Sequence, residues 1–172
     1  MLTIRIERPE DHNRVRAIND LAFGRTQEGA FVRTLLENPG DGWHLSFVAE
    51  DDSGVVGHLL LSHVTVGEGA EAHDAVLFGP HSVLPGCQRQ GIGAALIRRA
   101  MDYAEEQGER IFLAVGAADY YTRFGFEPAS RYGIHPPEAS PDGTFLVRFA
   151  DRAGCAAVRG AANYPPMLRR EQ

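Results

Sequence analysis

The residues best suited to chemistry lie mid-chain, in Val83-Leu84-Pro85-Gly86-Cys87-Gln88-Arg89-Gln90-Gly91-Ile92-Gly93-Ala94-Ala95-Leu96. The segment reads as the end of a strand, a turn, and a helix opened by two glycines. Amides in a helix's first turn lack intrahelical acceptors and sit at the positive end of its dipole, so they attract an anion. Gly91 and Gly93 carry no Cβ, which lets a pyrophosphate approach the backbone, and Arg89 adds positive charge at the mouth. The pattern is that of a phosphate cradle, although a glycine pair also suits a plain tight turn. A dinucleotide fingerprint would need a third glycine, an early strand before it and an acid about 20 residues on; Ala94 to Leu96 supply no such glycine. No Gly-Lys-Ser/Thr follows, which excludes a Walker loop. Cys87 lies in the turn before the cradle with no histidine–acid pair suggested beside it, and reads as incidental. The seven histidines are scattered without His-x-x-x-His spacing, so no metal is expected.

The elements that must position this segment follow from periodicity. Residues 2–7 alternate as a strand. Pro9-Glu10-Asp11 opens a helix carrying Val15, Ile18 and Ala22, with Gly24 interrupting it. Thr26 is placed to cap a second helix carrying Phe31, Leu35 and Leu36, which Asn38-Pro39-Gly40 stops. Strands are predicted from Leu45 to Glu50, Val55 to Val66 and Ala75 to Leu84, with turns at Asp51-Asp52-Ser53-Gly54 and Gly67-Glu68-Gly69-Ala70. Gly91 to Gln107 is the clearest helix: Ile92, Leu96, Ala100 and Ala104 form one stripe, and Gly108 stands at its C-terminal cap. A buried strand at Ile111 to Val115, a short helix from Asp119 to Phe124 and strands from Phe126 and over Phe145 to Phe149 complete the pattern. Residues 131–143 read as loop, and the tail from Asp151 to Gln172 shows weak periodicity with a stop at Pro165-Pro166. No repeat or linker is evident, so one α/β domain spanning 1–172 is expected, with a core of about 3–150 and an extension over 151–172.

Composition narrows the class. In 172 residues, 44% hydrophobic, a sizeable core can be buried, and the longest apolar runs are too short to span a bilayer. The alternating N-terminus reads as strand, not signal peptide. Two cysteines, Cys87 and Cys155, give no disulfide framework, so a cytoplasmic setting is the default. A formal net charge of −6 argues against generic nucleic-acid binding.

Gln88-Arg89-Gln90-Gly91-Ile92-Gly93, preceded by Val83-Leu84-Pro85, resembles the acetyl-CoA signature of the GNAT superfamily of N-acetyltransferases. Tyr120-Tyr121-Thr122-Arg123-Phe124-Gly125-Phe126 is similar to that family's tyrosine-x-x-x-glycine-phenylalanine close, and the element order matches over roughly residues 3–150. The tail, with Asn163-Tyr164-Pro165-Pro166, resembles a bacterial subgroup of poorly defined substrates. The resemblance implies a GNAT fold: a central mixed, mostly antiparallel sheet with helices on both faces, splayed at the acetyl-CoA site. It implies acetyl-CoA as co-substrate, held by the backbones of Val83 and Leu84, free to pair with pantetheine, and by the cradle Gln88, Arg89, Gln90, Gly91, Ile92, Gly93 and Ala94. Pro80, which cannot donate to a ladder, fits a bulge or unpaired stretch in the strand that opens; an edge strand is the other reading.

By the same resemblance Tyr121 protonates the departing CoA sulfur, a fitting task for a phenol with pKa near 10. The base is argued from strand parity: His81 shares a face with Val83 and titrates ordinarily near 6.5. His63 competes with it, and water relayed from bulk solvent would serve instead. The acceptor is expected among the first helix pair, the loop near Phe23 to Glu28 and segment 131–143, with Glu28 a candidate for binding a cationic amine. The expected function is acetyl transfer to a primary amine of an unidentified small molecule or protein. A non-catalytic acyl-CoA-binding sensor or scaffold is the alternative. Partners expected are acetyl-CoA and the acceptor amine, with a homodimer left open, and neither nucleic acid nor a membrane.

Overall fold

A computed structural model describes residues 1–24, 27–38, 42–138 and 143–168. Its strands and helices run β1 (Thr3–Ile6), α1 (His12–Phe23), α2 (Gln27–Glu37), β2 (His44–Asp51), β3 (Gly54–Val66), β4 (His73–Val83), α3 (Ile92–Glu106), β5 (Ile111–Val115), α4 (Ala118–Tyr121), β6 (Glu127–Pro128), β7 (Ile134–His135), β8 (Phe145–Phe149) and β9 (Gly160–Asn163). The class is mixed α/β with an open, mostly antiparallel sheet. β4–β5 and β7–β9 pair in parallel, while β1–β2, β3–β9, β5–β8 and β6–β8 pair antiparallel.

The chain packs as two compact units, which β3 and β4 both thread. The first comprises Met1–Pro39, Trp43–Leu61 and Gly79–Asp102. Its elements follow from the sequence pattern: Val15 and Ile18 of α1, Val32 of α2, Val48 of β2 and Val55 of β3 are at most 5% exposed and form one apolar cluster. Asp11 closes the turn before α1 by accepting the Arg8 amide at 2.8 Å. The Arg5 guanidinium grips the same carboxylate at 2.6 and 3.0 Å and Glu50 of β2 at 2.8 Å, tying β1, β2 and the start of α1 together. Gly24 ends α1 in the left-handed conformation at φ 65°, as its place in the sequence predicts.

The second unit comprises Gly40–Gly42, Ser62–Phe78 and Tyr103–Gln172. β5 is its spine, in register with Val76–Phe78 of β4 on one side and with Phe145–Phe149 of β8 on the other. Four of its five residues are buried, as expected for a strand covered on both faces, and Val115 at the end is exposed. Phe78 stands edge-on to Phe112 at 5.7 Å and Phe126 at 6.0 Å, an aromatic core within this unit.

Two expectations need correction. Residues 131–143 are not simply loop: a 3-10 turn runs over Ala129–Tyr132, and β7 pairs with β9. The tail is not merely weakly organised either, because β9 also pairs with β3, Thr65 opposite Asn163 and Val66 opposite Ala162. Short strands of small residues, here Gly-Ala-Ala-Asn, carry no alternation for a sequence reading to find.

Candidate functional site

In the first unit, β4 gives way at Val83 to one 3-10 turn, Pro85–Cys87, whose last amide donates to the Leu84 carbonyl at 2.8 Å. The Gln88 side-chain amide donates to the Val83 carbonyl at 3.1 Å, and that of Gln90 to the Gly86 carbonyl at 3.3 Å. Both glutamines thus brace the turn from which they arise. Arg89 takes φ 60° and Gly91 φ 84°, so the chain swings through two left-handed residues before the helix begins. The bond from the Ala95 amide to the Gly91 carbonyl, 3.0 Å, opens the helical ladder, leaving the amides of Ile92, Gly93 and Ala94 ahead of it. Gly91 is exposed and Gly93 half-buried, while Ile92 and Ala94 are buried as whole residues. A Cβ added at Gly91 would meet no atom within 4 Å, and Arg89 is exposed. A first turn of amides ahead of the ladder, at the positive end of a fifteen-residue helix and just after an exposed arginine, fits a pyrophosphate.

Val83 and Leu84 are less free than the sequence implied. The Leu84 amide donates to the Val56 carbonyl of β3 at 2.9 Å, and the Val83 carbonyl already accepts from Gln88. Pro80 follows the segment of β4 that is in register with β5, joined to Gly79 by a cis peptide.

His81 does not keep its ordinary basicity. Burial pushes its pKa down to about 4, and a hydrogen bond to the Gly93 backbone at the start of α3 pulls weakly the other way. Behind it lies a polar chain that the sequence reading missed. Ser82 donates to Asn19 Oδ1 at 3.1 Å; Asn19 Nδ2 donates to the Val15 carbonyl at 2.9 Å and to His58 Nδ1 at 3.0 Å; His58 Nε2 meets Ser46 Oγ at 2.8 Å. With Asn19 Nδ2 spending its hydrogens on Val15 and His58, the imidazole proton sits on Nε2 and points at Ser46. All four side chains are buried. Desolvation holds His58 at a pKa of about 3, with the field of His81 next in effect. The available signal was a histidine inside the apolar run Val55 to Leu61.

The remaining site residues stand in the second unit. Tyr121, at the end of α4, is 6% exposed, its ring edge-on to Phe126 at 5.5 Å and nearly perpendicular to Tyr120 at 5.3 Å. Burial foremost, then Tyr120, pushes its pKa up to about 12, not the value near 10 expected of a solvated phenol. Gly116 makes room for it: a Cβ there would lie 2.8 Å from Tyr121 Cε2. Tyr120 is half-buried and receives the Arg123 guanidinium over its ring at 4.6 Å. His63 pairs with Asp74 at 2.9 Å.

Several expectations lie outside the described residues: Thr26 as a cap and the helix stop at Pro39-Gly40 and, for the acceptor pocket, the side chain of Glu28 and residues 139–142 of the proline-rich segment. Among the described residues no group of three histidines, cysteines or acids could hold a metal ion, and no helix is long and apolar enough to cross a membrane.

Residues 42–128 match the family model of the acetyltransferase (GNAT) domain. The uncharacterized N-acetyltransferase YjhQ of Escherichia coli K12 is 30% identical over 141 residues, 81% of this chain and 78% of that protein. YhbS of the same organism, also an uncharacterized N-acetyltransferase, is 31% identical over 166 residues, 95% of this chain and 96% of its own length. The crystal structure of YhbS in complex with CoA superposes with a TM-score of 0.89 at 27% identity, covering 99% of this chain and 93% of that one. A GNAT acetyltransferase of Brucella melitensis, solved with acetyl-CoA, superposes at 0.77 and 30% identity over 98% and 99%.

Proposed function

Because the chain belongs to the GNAT acetyltransferase family, we propose that it moves an acetyl group from acetyl-CoA to a primary amine of a small molecule or protein, by direct attack of the amine. It is an acetyl-CoA-dependent acetyltransferase, as the CoA and acetyl-CoA complexes of its relatives support. The observation that carries the reading is the exposed turn at Arg89 and Gly91 leading into a helix whose first amides, at Ile92, Gly93 and Ala94, precede its ladder.

Bound acetyl-CoA supplies an activated acyl carbon and a thiolate leaving group. The amides of Ile92, Gly93 and Ala94 hold its pyrophosphate, and Arg89 adds a charge-assisted contact. Gln88 and Gln90 serve the same site indirectly, by fixing the turn that presents those amides. The amine nitrogen forms its bond to the acyl carbon as the carbon–sulfur bond breaks. Tyr121 gives its phenolic proton to the departing sulfur; with a pKa near 12 it is protonated throughout the physiological range, and a weaker acid than a solvated tyrosine. The proton lost by the amine passes to His81 or, relayed outward, to water. His81 is neutral above pH 4 and so able to accept, but its burial opposes the charge it would acquire. Cytoplasmic residence and action as one catalytic domain are part of the same proposal.

The test is release of free thiol from acetyl-CoA across a panel of primary amines. Amine-dependent release is expected with at least one class of acceptor. Tight CoA binding with no release from any amine would leave the alternative, a non-catalytic acyl-CoA sensor.

A further inference from the structure

The second unit contains a cleft of about 650 Å³, bordered by residues 131–133 of the segment in which the acceptor amine was expected, but lined by cations that do not suit an amine. Its walls come from the turn at 131–133, the end of β8 at Phe149, and the segment 152–160. Arg131, Arg152 and Arg159 line it, and no acid does, in a chain whose 23 acids outnumber its 17 lysines and arginines. Guanidinium groups lining one cleft repel one another unless an anion compensates them. Part of that compensation is internal. Glu127 pairs with Arg131 at 3.3 Å and accepts the Tyr132 hydroxyl; that hydroxyl foremost, helped by Arg131 and Arg152, holds its carboxyl below the usual range. Asp151, beside Arg152 in sequence, is engaged with Arg110 at 3.9 Å.

Among the described residues neither Arg152 nor Arg159 makes an ion pair. Arg152 is nevertheless held: its guanidinium lies over the Tyr132 ring at 4.8 Å, and that ring stands edge-on to Phe149 at 5.1 Å. That contact holds the guanidinium over the ring and leaves its N–H groups to donate elsewhere. Phe149, Ala156 and Val158 give the same cleft an apolar side.

We propose that this cleft binds a small organic anion, its carboxylate or phosphate held between Arg152 and Arg159 and its carbon portion against Phe149 and Val158. The site is separate from the thioester chemistry. Phe149 pairs with Ile111 at the N-terminal end of β5, whereas Tyr121 follows Val115 at the other end, four strand steps or about 13 Å along. Ligand binding here therefore neither requires nor reports acetyl transfer.

The test uses the full chain saturated with CoA, so that the α3 cradle is filled and added phosphate cannot report on it. Inorganic phosphate and, separately, succinate are titrated calorimetrically against sodium chloride at matched ionic strength. Saturable binding of at least one is expected, and Arg152→Gln with Arg159→Gln should weaken it about tenfold or more, the worth of a lost charge-assisted bond. Response to phosphate alone assigns a phosphorylated ligand, to succinate alone a carboxylate, and to both the shared anion chemistry. Unchanged CoA affinity certifies that the double variant is folded; should it not fold, Arg159→Gln alone, at an exposed position, carries the test. No binding of either anion, or binding indifferent to the arginines, overturns the proposal. Since no turnover is measured, that failure is distinct from a failure of the acetyl-transfer reading.

Discussion

At the start of α3 the groups on offer are backbone amides that precede the helical ladder, reached from a turn where Arg89 and Gly91 are exposed. Around Tyr121 they are side chains packed against one another, with the phenol 6% exposed and its pKa raised by that enclosure. A site made of backbone depends on conformation, and tolerates change in any side chain that does not alter the path of the chain. A site made of an enclosed side chain depends on volume and dielectric, and responds to changes in residues that never touch substrate.

The largest separation between the two regions is expected from Tyr121→Phe. Turnover should fall by about 10² to 10⁴, the range for losing a general acid, with acetyl-CoA affinity unchanged, as thiol release and calorimetry would record. Tyr120→Phe should do much less, and the reverse outcome would move the role to Tyr120. Gly91→Glu should do the reverse, lowering acetyl-CoA affinity by tenfold or more: it sets a carboxylate at the anion site and forces a φ of 84° on a residue with a Cβ. Unchanged affinity would remove the cradle from this turn.

Gly116→Ala should cost about tenfold in turnover, because its Cβ would lie 2.8 Å from the Tyr121 ring and overpacking costs about 1–3 kcal/mol. In a Tyr121→Phe background the turnover penalty should largely vanish. If it persists there, Gly116 serves the fold and not the phenol. Stability against acid probes the first unit instead. The folded-state pKa values of His81 and His58, about 4 and about 3, lie below 6.5, so the unfolded chain binds these protons first. Their contribution is fully present above pH 6.5 and is lost as pH falls toward 4 and then 3, at about 1.4 kcal/mol for each tenfold difference in proton affinity between folded and unfolded chain. Denaturant midpoints measured down that range should fall, less steeply in His81→Gln. The acid limb of the rate profile, if His81 is the base, should centre near pH 4 and not near neutrality. Smallest of all, Gln88→Ala and Gln90→Ala should change acetyl-CoA affinity only a few-fold, since each removes one exposed brace of about 1 kcal/mol.

The same contrast explains what the sequence disclosed. Gly91, Gly93 and the helix stripe through Ile92, Leu96, Ala100 and Ala104 are local facts, and backbone conformation follows local sequence, so the turn and the helix could be read directly. Alternation placed β1 to β4 within two residues at either end. The environments of Tyr121 and His81 arise from residues distant along the chain: Phe126 and Gly116 around the phenol, and the start of α3 against the imidazole. Burial of that kind has no local signature, and both pKa expectations failed for that reason. The Asn19–His58 chain escaped similarly, because its members lie on α1, β2, β3 and β4 and meet only when those elements pack.

β9 has a bearing on how the protein tolerates trimming. β2 and β3 are neighbours in the sheet, and at the far end of β3 Asn163 and Ala162 of β9 pair with Thr65 and Val66. Asn163 secures the join by donating to the Gly67 carbonyl at 2.7 Å. A shortened version ending after β8, at the boundary the sequence pattern suggests for the core, would bare that stretch of strand. Unpaired amides and carbonyls beside an apolar valine are a template for another chain, so the shortened protein should self-associate through this edge. The last strand thus acts as a guard against clumping, and a purification tag belongs after it, never in its place.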